Sequence, residues 1–360
     1  GGECELQDLS MGYGRSVSRF NERKRVVADE DLGPLVATEM TRCIQCTRCV
    51  RFTAEIAGTY ELGGMYRGEN LQIGTYDGKP LTTELSGNVI DVCPVGALTN
   101  KVFQFKARPW ELSAHQSLGY HDALGSNLLL HVRRGEVLRT VPRENAQVND
   151  CWLSDRDRYS HQGLYSADRA DVPMKKVNGH WSPVSWAEAL SEAARILSAN
   201  KGDDLGLLVH PATSNEEGAL LARLAKGLGS SNIDHRINQR DFSDASTAAV
   251  FGMPVAEIEK AAQIVVFGSH LRHELPLLNA RLRKAQVDNG AKVHAINPVD
   301  FDFTFGLASK QIVPPSQMAA ALNDEGLRAA VAAANGNALL LVGAIAENHS
   351  QAAALRRAAA

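Results

Sequence analysis

From about residue 173 onward, short continuous apolar runs alternate with stretches whose apolar residues recur every three or four positions. The runs at 205–210, 263–267, 293–297 and 339–342 are each bounded by Gly, Pro or a capping residue, as buried strands are. Between them, 186–197, 216–228 and 275–285 carry helical spacing. Strands and helices in alternation predict a parallel, doubly wound sheet. The longest apolar run, 338–346, suits a buried strand or core segment and falls far short of the roughly 18 to 20 residues that span a bilayer. An Ala-rich stretch, 318–334, predicts one helix set by propensity. No G-x-G-x-x-G and no P-loop follows any of these strands, so the pattern carries no nucleotide site.

Length and composition change this picture little. A chain of 360 residues predicts two or three domains, and 44% apolar with 22% charged residues is the balance of a folded chain. Its 38 basic and 41 acidic side chains leave −3, which gives no basic footprint for nucleic acid or an anionic membrane. Any membrane association is then expected to go through partners, without direct insertion. The first residue is Gly1 and the last nine are Ala-rich, and both ends read as cuts through a longer protein.

The candidate chemistry lies in the cysteines: Cys4, Cys43, Cys46, Cys49, Cys93 and Cys151. With no secretory segment in view, thiolates held for metal or catalysis explain them better than disulfides. The spacing C-x2-C-x2-C at Cys43, Cys46 and Cys49 wraps a short peptide around one face of an iron–sulfur cubane, and a fourth ligand must come from elsewhere. Cys93 is the candidate, because it precedes Pro94, and a Cys-Pro pair ends the bacterial ferredoxin motif. Arg42, Arg48 and Arg51 flank the triplet, as a cluster of net negative charge favours, although such arginines also form ordinary solvated faces. A four-cysteine zinc site and unligated thiols are the alternatives; zinc commonly uses two C-x2-C pairs, whereas here a triplet stands with one distant cysteine. Cys4 is too isolated to build a site, and Cys151 reads as a small buried hydrophobe. The eleven histidines are scattered and read as structural or surface residues, with only His115 and His121 close to the cysteine region.

The stretches from Cys43 to Phe52 and from Gly87 to Thr99 resemble a family: the large peripheral-arm iron–sulfur subunits of bacterial NADH:quinone oxidoreductase, respiratory complex I, and their mitochondrial counterparts. The resemblance covers essentially the whole chain and is most specific before about residue 110. In that family a [2Fe–2S] domain precedes a [4Fe–4S] centre with the ligand pattern H-x3-C-x2-C-x5-C, and an all-cysteine [4Fe–4S] centre follows. The resemblance implies that Cys43, Cys46, Cys49 and Cys93 hold the all-cysteine centre, complete here. Cys4 matches the last cysteine of the preceding centre, so that second [4Fe–4S] and the [2Fe–2S] belong only to the full-length protein. The implied activity is an electron relay from NADH and flavin toward quinone, as an oxidoreductase subunit with no active site of its own. The implied partners are other peripheral-arm subunits, including the flavin- and NADH-binding one. The implied location is the cytoplasmic face of the bacterial inner membrane.

Residues 115–161 are similar to the opening of molybdopterin oxidoreductases, whose cluster ligands follow C-x2-C-x3-C-x27-C. That pattern falls on Gly119, Asp122, Ser126 and Ser154, none of them cysteine. The expectation is therefore a retained fold without its cluster, with 128–132 and 137–141 as a hairpin around Arg134-Gly135. The remainder resembles the molybdopterin-binding fold without a bound molybdopterin. The expected architecture is thus an α+β, ferredoxin-like iron–sulfur module (1–110), a vestigial cluster subdomain (111–172) and an α/β molybdopterin-oxidoreductase-like domain with a mostly parallel sheet (173–360). Two other functions stay open at this point: the diaphorase-side iron–sulfur subunit of a NAD-linked hydrogenase or formate dehydrogenase, and a structural zinc scaffold.

Overall fold

The computed structural model describes residues 2–15, 17–238, 240–244 and 251–360. Gly1, where the sequence reading places a cut, lies outside them. The chain divides into two compact units, one made of 1–161 with 240–360 and the other of 162–239.

In the first unit, Gln263–Phe267 forms the centre of a four-stranded, all-parallel sheet. The spatial order is Ser309–Ile312, Lys292–Asn297, Gln263–Phe267, Ala338–Val342. Side chains alternate across a strand, so Ile264 and Val266 face one layer while Val265 and Phe267 face the other. On one side they pack with Leu278, Leu282 and Ala285 of the helix Pro276–Asn289; on the other they pack with Met318, Leu327 and Leu355. Burial on both faces is why these strands read as continuous apolar runs. Pro276 at the first helical position and Gly290, at φ +73°, delimit that helix.

Several expectations need correction. The Ala-rich stretch is not one helix: it splits into Met318–Ala321 and Glu325–Ala333. Asp324 causes the break, because its carboxylate accepts from the Leu327 N–H at 2.8 Å and starts a new helix in competition with the old one. The strand expected at 339–342 does form, as Ala338–Val342, after which Gly343 turns the chain into the short helix Ala344–Glu347. Ser309–Ile312, polar at an edge of the sheet, gave no apolar signal at all.

The expected strand at 205–210 is also not part of this sheet. It forms as Gly206–Leu208 in the second unit, where it pairs in parallel with Asn232–Asp234. The helices Trp186–Ala199 and Asn215–Gly227 flank it in sequence, started by the caps Ser185 and Ser214. Ser214 and Glu217 form a reciprocal capping box. Met174–Val177 and His180–Pro183 add an antiparallel hairpin.

The hairpin around Arg134-Gly135 is present as Asn127–Arg133 with Glu136–Pro142, and Ser113–Leu118 extends it to three strands. Arg134 at φ +53° and Gly135 at φ +83° supply the two left-handed residues of a tight two-residue hairpin turn. Within it, the Arg139 Nε–H donates to His131 Nδ1 at 3.0 Å. Burial first, and the Arg139 guanidinium second, push the His131 pKa down from 6.5 to about 4. A base whose pKa is depressed on folding stabilises the fold above its unfolded value and loses that contribution as pH falls through its folded value. Stability is therefore expected to fall between pH 6.5 and 4. In the variant His131→Gln, the unfolding midpoint measured against pH should be flatter over that window; an unchanged profile would remove His131 from the explanation.

Candidate iron–sulfur centre

Cys43, Cys46, Cys49 and Cys93 line one small cavity of about 20 Å³. The rest of its wall is mainly Met40, Ile44, Ile73, Val95, Ala97 and Leu98. The triplet gains its direction from backbone the sequence does not advertise. Gln45 and Thr47, the residues before Cys46 and Arg48, sit at φ +51° and +60°, so the chain reverses its sense between successive cysteines. Gln45 Nε2 donates to the Cys43 carbonyl at 2.8 Å and fixes the first reversal. Cys49 lies in the helix Arg48–Arg51, which continues as a wider turn over Phe52–Ala57 and stops at Gly58, φ +74°. Cys93 caps the five-residue helix Asn88–Val92 and donates its N–H to the Ile90 carbonyl at 3.3 Å.

Sharing one cavity, these thiols oppose one another's ionisation. The Cys49 thiol is pushed up to about 12, first by burial and then by Cys93, Cys43 and Cys46. Cys43 is raised by burial, with Cys93 and Cys46 adding to it. Deprotonating several thiols in one apolar cavity is unfavourable unless a cationic core accepts their charge, so the donor set fits a metal–sulfur group. Among the described residues, no three His, Cys, Asp or Glu side chains are gathered tightly enough to hold a single ion. A tetrahedral zinc, with Zn–S near 2.3 Å, would need its thiolates about 3.8 Å apart. Of the flanking arginines, Arg48 reaches the cavity wall, Arg51 lines a cleft with Trp152, and Arg42 pairs with Glu39 at 2.9 Å.

Cys4 does not join the four. It is buried as the cap of the helix Glu5–Tyr13, its Sγ accepting from the Gln7 N–H at 3.3 Å. It also packs on the turn that follows Cys93. The Leu6 N–H donates to the Pro94 carbonyl at 3.1 Å, and a Cβ at Gly96 would stand only 2.9 Å from the Cys4 Cβ. Gly96, at φ +63°, is therefore needed both for its conformation and for this approach. Cys151 corrects an expectation: it is exposed, not packed, because the tight turn closed by the Asn145–Asp150 bridge carries it outward.

Of the four positions aligned with the missing cluster, Gly119, Ser126 and Ser154 are buried, and the Asp122 side chain is almost fully so. Asp157 takes up the space between Gly119 and Ser154. A Cβ on Gly119 would meet its Oδ2 at 2.6 Å, and Ser154 Oγ donates to Oδ2 at 3.1 Å while accepting from the Asp157 N–H. Burial, and then the charge of Asp122, raise the pKa of Asp157. His115 is exposed and bonded to Ser113; His121 lies against Tyr120.

The sequence reading missed the residues that hold Cys93 in place. Asn88, Asp155 and Arg158 all carry buried or charge-assisted bonds at the helix before it. Ser-Asp-Arg-Asp-Arg at 154–158 reads as an exposed charge run, and no local signal marks its last arginine as buried.

Comparison with known families gives three matches along the chain. Residues 33–99 match the NADH-quinone oxidoreductase subunit 3 ferredoxin-like domain. Residues 112–162 match the NADH-ubiquinone oxidoreductase NDSU1/NuoG-like 4Fe-4S domain, and residues 169–360 match molybdopterin oxidoreductase. Cys151 is the one cysteine inside the second match, so that segment cannot furnish four thiolates. The chain is 42% identical to an NADH-quinone oxidoreductase subunit of Rickettsia felis over 78% of its length, covering 42% of that protein. It is 39% identical to the mitochondrial NADH dehydrogenase [ubiquinone] iron-sulfur protein 1 of Solanum tuberosum over 84% of its length, covering 41% of that protein. A crystal structure of an NAD+-reducing [NiFe]-hydrogenase in the H2-reduced state shares 27% identity over 30% of this chain and 47% of that one, at a TM-score of 0.26. The chain thus spans about two-fifths of the length of the curated relatives it matches.

Proposed function

Because the chain belongs to the molybdopterin oxidoreductase family, as a homologue of the large iron–sulfur subunits of NADH-quinone oxidoreductase, we propose that it relays electrons inside such a complex. The electrons come from NADH through a flavin on a partner subunit and pass toward quinone. The observation that carries this reading is the cavity in which Cys43, Cys46, Cys49 and Cys93 meet. Its chemistry follows from a [4Fe–4S] cluster, which when bound takes up and gives back one electron at a time. The chain's own residues do the rest. Four thiolates hold the group, the apolar wall from Met40 to Leu98 keeps water from the sulfurs, and Arg48 offers a cation at the rim. No general acid, base or nucleophile is required, so no catalytic residue is assigned to this chain.

Four finer points belong to the same proposal. Cys4 would serve a second [4Fe–4S] centre whose other ligands lie outside these residues, where a [2Fe–2S] domain would also lie. The chain would divide into a cluster module to about residue 110, a subdomain to 172 and an α/β domain beyond, a reading supported by three successive family matches. The partners would be the other peripheral-arm subunits, among them the flavin-binding one, on the cytoplasmic face of a bacterial inner membrane. Among the described residues no helix is long and apolar enough to cross a membrane.

The fourth point is that the sheet would hold no molybdopterin. Open parallel sheets bind ligands at the carboxyl ends of the strands where the order reverses, here between Gln263–Phe267 and Ala338–Val342. Backbone closes that crevice: Gly343 N–H donates to the Phe267 carbonyl at 2.9 Å, and Ile345 N–H to the Gly268 carbonyl at 2.9 Å. A Cβ on Gly343 would lie 2.2 Å from the Ser269 Cβ, so the two loops touch at glycine distance.

Anaerobic reconstitution of the full chain with iron and sulfide should give a brown protein with about four irons, as a tetrathiolate cubane requires. A colourless chain holding one zinc would overturn the relay in favour of a scaffold. Co-purification of the full-length protein with hydrogenase or formate dehydrogenase subunits, instead of flavin and quinone-site subunits, would move the same relay to another complex.

A further inference from the structure

Cys93 is the one thiol of the four that does not come from the loop 43–49, so its place depends on the helix before it. Asn88–Val92 has five residues, too few to be stable alone, and Cys93 is its final cap. Backbone and side-chain groups from 153–158, more than sixty residues away, bind both of its ends. The buried Asn88 amide donates from Nδ2 to the Leu153 carbonyl at 2.8 Å and accepts at Oδ1 from the Leu153 N–H at 3.0 Å. The Asp155 carboxylate accepts from the N–H groups of Gly87 and Ser86, at 2.6 and 2.9 Å, and from Ser86 Oγ at 2.6 Å. Anions are favoured where a helix begins, and these three bonds meet donors on the two residues just ahead of it.

The other end is held by Arg158. Its guanidinium grips the Asp91 carboxylate with both terminal nitrogens, Nη1 to Oδ1 at 3.2 Å and Nη2 to Oδ2, and Nη2 also reaches Asn88 Oδ1 at 3.3 Å. Arg158 is only 1% exposed. Gly87 makes room for it, since a Cβ there would fall 2.5 Å from the Arg158 Cδ and Nε. Asp91 stands two residues before Cys93.

We propose that Arg158 is a positioning residue for the iron–sulfur centre: paired with Asp91, it fixes the helix that presents Cys93 and offsets the carboxylate two residues before that ligand. This rests on the cluster reading above. An arginine stays charged at every accessible pH, so the pair is a standing balance of one cation and one anion beside Cys93. Reduction adds negative charge to the centre, so a nearby cation favours the reduced form and a nearby anion opposes it. Breaking the pair from either side then moves the midpoint potential in opposite directions.

Potentiometric titration followed by electron paramagnetic resonance, on the full-length protein, tests this. The relevant signal is the one that Cys93→Ala removes. Arg158→Met leaves Asp91 unopposed, and its midpoint should shift to more negative potential with a broadened line. Arg158→Lys keeps the charge without the fork, and should shift less. Asp91→Asn leaves the cation unopposed and should shift the midpoint to more positive potential. Wild-type midpoints in Arg158→Met and Asp91→Asn, or shifts of the same sign in both, would overturn the proposal. Should Arg158→Met fail to fold, Asp91→Asn decides: this side chain is more exposed, and anything but a positive shift counts against the pair. A wild-type protein with no such signal would instead overturn the cluster reading.

Discussion

Replacing Cys93 with alanine is expected to empty the centre: iron in the reconstituted chain should drop from about four atoms to nearly none, and the brown absorption should go with it. The loss should be that complete because the remaining three thiols all come from the short loop 43–49, and Cys93 is the one lining cysteine from another part of the chain. The residues after Cys93 that line the cavity are Val95, Ala97 and Leu98, whose side chains offer no donor atom. Asp91 cannot substitute, because Arg158 holds its carboxylate through two bonds. Cys151→Ala, an exposed cysteine outside the cavity, is the matched control and should keep its iron. Iron and sulfide assays on both variants settle the matter. A Cys93→Ala chain that retains most of its iron would show that another residue is the fourth ligand.

The second large effect is structural. Arg283 lies in the helix Pro276–Asn289, is 6% exposed, and has no carboxylate partner among its bonds. Its Nε donates to the Glu55 carbonyl at 3.0 Å, Nη2 to the Ala54 carbonyl at 2.7 Å, and Nη1 to the Thr304 carbonyl. A cation is thereby set at the carbonyl end of the helical segment that starts at Arg48 and closes at Ala57, a favourable place for it. Arg283→Met keeps most of the volume and removes every donor, leaving three carbonyls short of a partner. At about 1 kcal/mol for each orphaned acceptor, the chain should lose roughly 3 kcal/mol of stability. Urea unfolding of the wild type and of Arg283→Met measures it. Arg283→Lys, which can still reach one or two of the carbonyls, should recover part of the loss. A loss under about 1 kcal/mol would mean that water replaces the guanidinium there.

What could be read in the sequence, and what could not, divides by range. That Cys43, Cys46, Cys49 and Cys93 gather in one cavity was legible, because the triplet's spacing is a local property and so is the proline after Cys93. Phe267 and its neighbours were legible as strand because burial on both faces leaves an unbroken apolar run. Ser309–Ile312 was not, since an edge strand is held by its backbone bonds to His294–Asn297 and needs no apolar side chain. The register of the Gly206–Leu208 strand was hidden for another reason: a run of apolar residues states that a strand is buried, not which sheet it joins. The break at Asp324 was misread because alanine propensity outweighed one capping carboxylate in the sum, while in the fold the cap prevails. Arg158 and Arg283 were invisible because an arginine's charge argues for water unless its partners are known. Those partners lie 67 and 228 residues away.

That last separation has a meaning in time. A ribosome adding roughly 5 to 20 residues each second makes the peptide bearing Cys49 well before it makes Arg283. The Ala54 carbonyl waits for a donor 229 residues downstream, a delay of about 10 to 45 seconds. For that interval the cysteine loop is out of the ribosome without the helix that later braces it, and even Arg158 arrives before it. On the proposed cluster reading, insertion of iron and sulfide is expected late in the life of the nascent chain, and pulse labelling should find it after release and not during elongation.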